Sequence, residues 1–177
     1  MSTIIAALAV AVIAFLICKA VQSPHYTIAR SVVIQAPAEN VFPYLNTRKI
    51  ANSWNPFLKE DPTATITLTG PETGVGSKTA WEGNNRMGAG SAEVIESVPN
   101  DHILIQLEMK RPMACRQVAS YWLEPAGAGT KVTWKVEGQN TFISRVICGT
   151  FLNMDKLVGG AFLRGLTELK GMVEEGR

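Results

Sequence analysis

The sequence predicts an α+β domain in which a curved antiparallel sheet wraps around one long C-terminal helix, preceded by an N-terminal transmembrane helix. Three patterns support this prediction. Polar and apolar residues alternate through the middle of the chain, apolar residues recur at helical spacing near its C-terminus, and Ser2–Cys18 contains no charged residue. We therefore expect a membrane anchor at residues 1–22 and one globular domain at residues 23–177.

The composition excludes several classes of protein. The chain has 177 residues, of which 46% are hydrophobic, and this fraction is incompatible with wholesale disorder. Its 17 basic and 15 acidic side chains give a net charge of +2, too small to predict a nucleic-acid partner. Three cysteines without close spacing and two histidines predict neither a disulfide scaffold nor a metal site. We expect no cofactor.

The uncharged N-terminal stretch is long enough to enter a bilayer. As a helix, Ser2–Cys18 spans about 25 Å, and the apolar pair Ala20-Val21 extends it toward the ~30 Å hydrocarbon core while Lys19 snorkels. A cleaved signal peptide is the alternative. It would require a basic residue between Met1 and Ile4, which is absent, and a small-x-small cleavage site, of which Cys18-Lys19-Ala20 is a poor example. An uncleaved single-pass anchor is therefore the preferred interpretation.

The flanking charges predict the side of the membrane on which the domain lies. Lys19 and Arg30 follow the apolar stretch, whereas only the α-amino group precedes it. Because positive flanks remain on the cytoplasmic side, the domain is expected there. Cys115 and Cys148, expected to be structural thiols, are compatible with that reducing compartment.

The sequence pattern in the first part of the domain predicts one strand and two short helices. Thr27–Ala36 is rich in β-branched residues, and Pro37 ends it. Apolar spacing then predicts helices at Ala38–Asn46 and Arg48–Trp54, the second ended by Pro56.

Further strands follow at hairpin spacing. They are predicted at Thr63–Thr69, Ser77–Gly83, Gly90–Val98, Ile103–Met109, Arg116–Glu124 and Thr130–Glu137. Alternation is clearest in the last of them, where Val132, Trp134 and Val136 oppose charged and polar neighbours. Such alternation gives a sheet one covered face and one wet face, which is typical of antiparallel pairing.

The apolar pattern of the C-terminal sequence predicts a helix that covers this sheet. Its apolar residues recur at three- and four-residue steps: Ile143, Val146, Ile147, Met154, Leu157, Val158, Ala161, Phe162, Leu166, Leu169 and Val173. The long helix is expected at Asp155–Glu174. Its length of about 30 Å lets it lie across the whole sheet.

Several segments resemble the START-like helix-grip (SRPBCC) superfamily, in its polyketide cyclase/dehydrase-like branch. The segments that carry the resemblance are Ser31–Phe42, Trp54–Phe57, Gly129–Trp134, Val158–Phe162 and Gly165–Lys170. It covers Tyr26–Glu175. The resemblance implies a cavity between the curved sheet and the long helix that holds a lipid or another hydrophobic small molecule. It transfers no universal catalytic motif to this chain.

That layout predicts which side chains line the cavity. The predicted ligand-binding residues are Trp54, Phe57, Trp81, Arg86, Ile105, Leu107, Tyr121, Trp134, Phe162 and Leu166. Arg86, beside a hairpin tip, is the candidate clamp for a ligand carboxylate at the cavity mouth. Tyr121 is the candidate polar group inside, which places Trp122 on the outer face.

The alternative is that these rings fill an ordinary core and that Arg86 is merely solvated. Glycines on the long helix, namely Gly159, Gly160 and Gly165, favour the cavity, because each costs about 1 kcal/mol in helix propensity. Glycines at such positions bring a helix close to the sheet or leave space beside it.

No residue set for nucleophilic catalysis is predicted. His25 lies in the segment that joins anchor to domain, and His102 begins a strand; both are expected on the solvated surface. We therefore assign no catalytic residue.

Three functions follow as hypotheses. The first is a membrane-tethered binding protein for a lipid or another hydrophobic small molecule. The second is a polyketide cyclase or dehydratase-like enzyme, which would need Tyr121, Glu93 and Arg86 as an inward-facing acid–base set. The third is a protein-interaction module at the membrane, supported by Trp122 on the outer face.

Overall fold

A computed structural model of the protein describes residues 25–139 and 154–176. The predicted anchor at residues 1–22 lies outside these residues, so it stays a prediction. The same holds for Ile143, Val146, Ile147 and Cys148, and for the side chain of Met154. Within the described ranges, no helix is both long and apolar enough to span a membrane.

The described elements follow the predicted order. The strands are β1 (His25–Ile34), β2 (Thr65–Thr69), β3 (Lys78–Glu82), β4 (Ala89–Val98), β5 (His102–Arg111), β6 (Cys115–Ala126) and β7 (Gly129–Gln139). The helices are α1 (Ala38–Asn46), α2 (Arg48–Trp54), a 3₁₀ turn at Pro56–Lys59 and α3 (Met154–Glu174). The bounds predicted for α1 and α2 are confirmed.

All seven strands form one antiparallel sheet in the order β1-β7-β6-β5-β4-β3-β2. The α+β architecture with a long C-terminal helix is therefore confirmed. His25 was expected in a connecting segment, and that prediction is wrong, because it begins β1 and pairs with Gln139.

The long helix α3 packs on one face of the sheet, which we call the inner face. Phe162, Leu166 and Leu169 are buried in this interface. At the start of α3, Arg30 donates from Nη2 to a carboxylate oxygen of Asp155 at 2.8 Å. Near its end, Lys170 donates to the backbone carbonyl of Val33 at 2.8 Å. Polar contacts thus fix both ends of a helix whose apolar face does most of the packing.

The short helices α1 and α2 cover the other end of the inner face. Asn46 of α1 accepts a hydrogen bond from Ser97 of β4 at 2.9 Å. Asn52 of α2 accepts one from Thr79 of β3 at 3.2 Å. Each short helix thus makes one polar contact with the β3–β4 part of the sheet, and α1 also packs against β6 and β7.

His102 lies on the outer face, but it is not solvated as predicted. Its side chain is only 13% exposed. The imidazole stacks on the indole of Trp122, with ring centroids 4.5 Å apart. Its two ring nitrogens lie 2.7 Å from a carboxylate oxygen of Asp101 and 3.3 Å from one of Glu96. The indole predicted as a free docking surface is thus partly covered by this imidazole.

Candidate functional site

The pairing register of the strands defines which side chains point to the inner face. Tyr121 pairs with Trp134 on one side and with Ile103 on the other, so these three residues share that face. Because side chains alternate along a strand, Ile105 and Leu107 follow Ile103 toward the same side. The inner face is thus continuous from β7 to β5.

An aromatic cluster fills the part of this face beneath α3. Trp134 stacks on Phe162, with centroids 4.2 Å apart and planes at 9°. Trp54 meets Trp134 edge to face at 5.6 Å and Tyr121 at 5.7 Å. Phe57 adds edge-to-face contacts of 6.1 Å to Trp134 and Phe162. Offset and edge-to-face pairs of this kind stabilise a packed interior beyond the area they bury.

Gly165 lets α3 approach the cluster closely. A Cβ built at this position would lie 2.8 Å from Cδ of Pro56 and 3.0 Å from Cζ3 of Trp134. Both distances are shorter than an ordinary contact, so a side chain here would displace the ring or the helix. The glycine predicted beside the cavity therefore serves close packing at this point.

Another part of the inner face carries apolar side chains that remain accessible. We call this surface the open half, and it consists of Ile66, Leu68, Trp81, Ala92, Leu107 and Met109. Ile66 is 39% exposed and Leu68 is 46% exposed, although both point to the side that α3 occupies. The other four side chains are half-buried. An accessible apolar surface beside a packed core is a candidate surface for a hydrophobic ligand.

Trp81 forms one wall of the open half. Its register partner is Gly90, and a Cβ built there would lie 2.7 Å from Cζ2 of the indole. The absence of a side chain at Gly90 thus lets the indole pack directly against the backbone of β4. Ala92, the next residue of β4 on this face, is also small, so β4 contributes little side-chain bulk between Trp81 and Leu107.

The predicted ligand-binding residues fall into three groups. Trp81 and Leu107 belong to the open half. A second group contributes to the packed cluster or its border: Trp54, Ile105, Tyr121, Trp134, Phe162 and Leu166. Phe57, which is 37% exposed, lies at the edge of that cluster, and Arg86 is exposed in the turn between β3 and β4.

The acid–base set required by the enzyme hypothesis is not assembled. Glu93 points to the outer face, where a carboxylate oxygen lies 3.0 Å from Nζ of Lys78. Tyr121 points to the inner face and is buried. Since the sheet separates these two side chains, Glu93 cannot act with Tyr121 on one substrate atom.

The structure adds a residue that the sequence did not indicate. Arg48 opens α2, and only 5% of it is exposed. Its Nη2 donates to the backbone carbonyl of Leu45 at 2.6 Å, whereas its buried Nε has no hydrogen-bond partner. Burial lowers the pKa of the guanidinium, and the nearby phenol of Tyr121 partly opposes that shift. An arginine at the start of a helix has no sequence signature that would reveal its burial.

Tyr121 carries a buried phenol on the inner face. Burial raises the pKa of its phenol well above the ordinary value, an effect that the charge of Arg48 partly offsets. The hydroxyl therefore keeps its proton at neutral pH and can donate a hydrogen bond. The prediction that Tyr121 points inward and Trp122 outward is confirmed.

A separate depression of about 270 Å³ lies at the β6–β7 hairpin. Pro37, Asn100, Glu124, Pro125 and Ala128 contribute to its wall. It shares no residue with the aromatic cluster or the open half, and much of its wall is turn backbone.

Comparison with known proteins agrees with this geometry. Residues 25–174 match the family model described as polyketide cyclase / dehydrase and lipid transport. The chain belongs to this family. No curated protein matches the sequence. The likeness therefore identifies the family and the fold, and leaves the ligand open.

Solved structures share the fold at low identity. A Rhizobium leguminosarum protein is 18% identical with a TM-score of 0.62, over 87% of this chain and 97% of that one. The Aha1 dimer from Colwellia psychrerythraea is 20% identical with a TM-score of 0.59, and the match covers 86% of this chain and 98% of that one. The di-domain ARO/CYC StfQ from the steffimycin biosynthetic pathway is 10% identical with a TM-score of 0.63, and the match covers 85% of this chain and 51% of that one.

Proposed function

We propose that this family member binds a lipid or another hydrophobic small molecule on the open half of its inner face. The observation that carries the proposal is the accessible apolar surface of Ile66 and Leu68, continuous with Trp81 and Leu107. The family description, which includes lipid transport, supports the same ligand class.

Burial of apolar surface is the driving force for such binding. Burying about 200 Å² of apolar surface contributes about 5 kcal/mol before the costs of association. Binding needs no catalytic group, and Glu93, Tyr121 and Arg86 do not form one site. These contacts favour binding over the cyclase or dehydratase hypothesis.

Fluorescence of N-phenyl-1-naphthylamine, an uncharged apolar probe, tests this proposal. The full chain in non-ionic detergent is titrated, and energy transfer from tryptophan reports the probe that is bound to protein. Leu107→Gln should weaken binding about tenfold, because it removes apolar contact from the site. Leu104→Gln is the matched control, since Leu104 lies on the same strand and points to the outer face.

Leu104→Gln should change binding less than twofold. Equal effects of the two substitutions would place the probe elsewhere. No energy transfer in the wild-type chain would remove the proposal.

We also propose that residues 1–22 tether the domain to a membrane, with the domain on the cytoplasmic side. The support is the uncharged Ser2–Cys18 stretch and the positive flank at Lys19 and Arg30. A tether would hold the open half near the bilayer from which a hydrophobic ligand partitions. Alkaline extraction of membranes should leave the full chain in the pellet and release a chain that lacks residues 2–21. Release of both would contradict the tether.

A further inference from the structure

The turns at the two ends of the sheet differ in charge. At the end where β1 begins, the hairpin turns at residues 83–88 and 112–114 contain Arg86 and no carboxylate. The turns at the other end contain Glu72 and Asp101 but no lysine or arginine. They comprise residues 35–37, 70–77, 99–101 and 127–128. This difference favours an anionic partner at the end where β1 begins.

The β5–β6 hairpin carries most of the positive charge at that end. Lys110, Arg111 and Arg116 lie on its two arms, and all three are exposed. Arg111 pairs with Glu82 at 3.2 Å and Arg116 with Glu108 at 2.9 Å, whereas Lys110 has no ion-pair partner among the described residues. Exposed pairs of this kind contribute little to stability, so these cations remain available to an anionic surface.

Other carboxylates at this end lie on the β2–β3 side. Asp61 is buried and accepts a hydrogen bond from the backbone N–H of Asn84 at 2.7 Å, and Glu60 precedes it in the connection to β2. Arg86 lies in the same turn as Asn84. The β5–β6 hairpin, which lies nearer to β1 in the sheet, is therefore the positive part of this end.

Met113 gives the tip of this hairpin an apolar side chain. It is 56% exposed and lies between Arg111 and Arg116 along the chain. Cations flanking an exposed apolar side chain suit the interface of an anionic bilayer, because the cations meet the head groups and the apolar group enters the boundary with the acyl chains.

The proposed tether joins the sheet at the same end. His25 pairs with Gln139 of β7, and the adjacent Gly138 pairs with Gln117 of β6. The start of β6 is thus two strand spacings, about 10 Å, from the start of β1. The three steps of chain from residue 22 to His25 span at most about 10 Å. A tethered domain therefore holds this hairpin close to the bilayer surface.

From these features we infer that the β5–β6 hairpin docks on the anionic head groups of the bilayer that holds the tether, with Lys110 and Arg116 on the head groups and Met113 in the interface. This inference rests on the proposed tether and adds an orientation to it. Leu107 and Met109 of the open half lie on β5 shortly before this hairpin. Docking therefore places the open half beside the lipid from which a hydrophobic ligand partitions.

Tryptophans added in two turns test this orientation. Met113→Trp reports on the hairpin, and Val75→Trp is the matched control, because Val75 is 59% exposed in a turn at the opposite end. The full chain is assembled into nanodiscs of phosphatidylcholine, alone or mixed with phosphatidylglycerol, and each disc is made with ordinary or brominated acyl chains. Bromine quenches a tryptophan that it contacts, and the emission of the chain without the added tryptophan is subtracted.

The anionic lipid should increase quenching only at the hairpin. Emission added by Met113→Trp should be quenched at least threefold more in discs with phosphatidylglycerol than in discs of phosphatidylcholine alone. Emission added by Val75→Trp should change less than 1.5-fold between the two discs, since that turn faces away from the bilayer. If Met113→Trp does not fold, Ala114→Trp, at the next exposed position, should give the same result.

Neutral variants identify charge as the cause. In the Met113→Trp chain, Lys110→Gln with Arg116→Gln should abolish the effect of phosphatidylglycerol. Lys49→Gln with Lys131→Gln removes the same charge beside the turns at the other end and should preserve it. The two pairs are matched, because Arg116 and Lys131 each lose one exposed ion pair. Equal loss with both pairs would overturn the inference.

The remaining outcomes separate this inference from the tether. Co-elution of the chain with phosphatidylcholine discs shows that the tether stands. Equal quenching of Met113→Trp in the two kinds of disc would then overturn docking on anionic lipid. Absence of quenching in both would overturn it too, and would leave the hairpin to an acidic partner protein. If the chain co-elutes with neither disc, the tether fails and the inference fails with it.

Discussion

The indole of Trp134 lies parallel to the ring of Phe162, with centroids 4.2 Å apart and planes at 9°. Trp134 belongs to β7 and Phe162 to α3, so this stack fixes the long helix over one side of the sheet. The β2–β5 side keeps apolar residues such as Leu68 accessible on the same face. The division into a packed part and an open half is the structural basis of the proposed binding site.

Gly165→Ala should destabilise the domain. The added methyl group would lie 2.8 Å from Pro56 and 3.0 Å from Trp134, and overpacking of this kind costs more than the gain in helix propensity. We expect the free energy of unfolding to fall by about 1–2 kcal/mol. Urea denaturation measures this change.

Gly171→Ala is the matched control on the same helix. A Cβ built at Gly171 meets no atom within 4 Å. The free energy of unfolding should therefore rise by about 1 kcal/mol through helix propensity alone. Similar changes in the two variants would show that α3 does not contact the cluster as described.

Ala92→Phe should block the open half without destabilising the domain. The larger ring would occupy the space between Trp81 and Leu107. We expect binding of N-phenyl-1-naphthylamine to weaken at least tenfold, with the free energy of unfolding within about 1 kcal/mol of wild type. A loss of about 1–3 kcal/mol in stability would instead reveal that this space is already filled.

His102 should make the stability of the domain depend on pH. A hydrogen bond to Asp101, with a further one to Glu96, raises the pKa of the imidazole above its ordinary value, against the opposing effect of burial. Protonation therefore stabilises the folded state. This contribution is complete below about pH 6.5 and disappears as the pH rises through the higher pKa of the folded protein.

Urea denaturation between pH 6 and pH 8 measures this dependence. The free energy of unfolding of the wild type should fall more over that interval than that of His102→Gln. Asp101→Asn should lower the midpoint of the His102 ring signals in an NMR titration, because it removes the main cause of the shift. Parallel stability curves for the wild type and His102→Gln would refute the coupling.

The elements that the sequence predicted well are those bounded by local chemistry. Pro37 and Pro56 mark where α1 begins and where α2 has ended, and strict alternation placed Tyr121 inside and Trp122 outside. Such signals depend only on neighbours along the chain.

The features that the sequence did not predict depend on contacts between distant segments. His102 is covered because the register of β5 and β6 sets it opposite Trp122. Arg48 is buried because α2 packs on the sheet, and no local pattern distinguishes it from a solvated arginine. Whether the apolar residues of the inner face are packed or accessible likewise depends on where α3 lies.

Mapping of a photoreactive ligand tests the central claim most directly. The full chain is irradiated with a diazirine-bearing fatty acid, and the adducts are located by peptide mass spectrometry. We predict adducts in β3 and β5, at Trp81, Leu107 and Met109, and their loss when N-phenyl-1-naphthylamine is in excess. Adducts confined to the outer face or to residues 1–24, with none on these strands, would contradict a binding site on the open half.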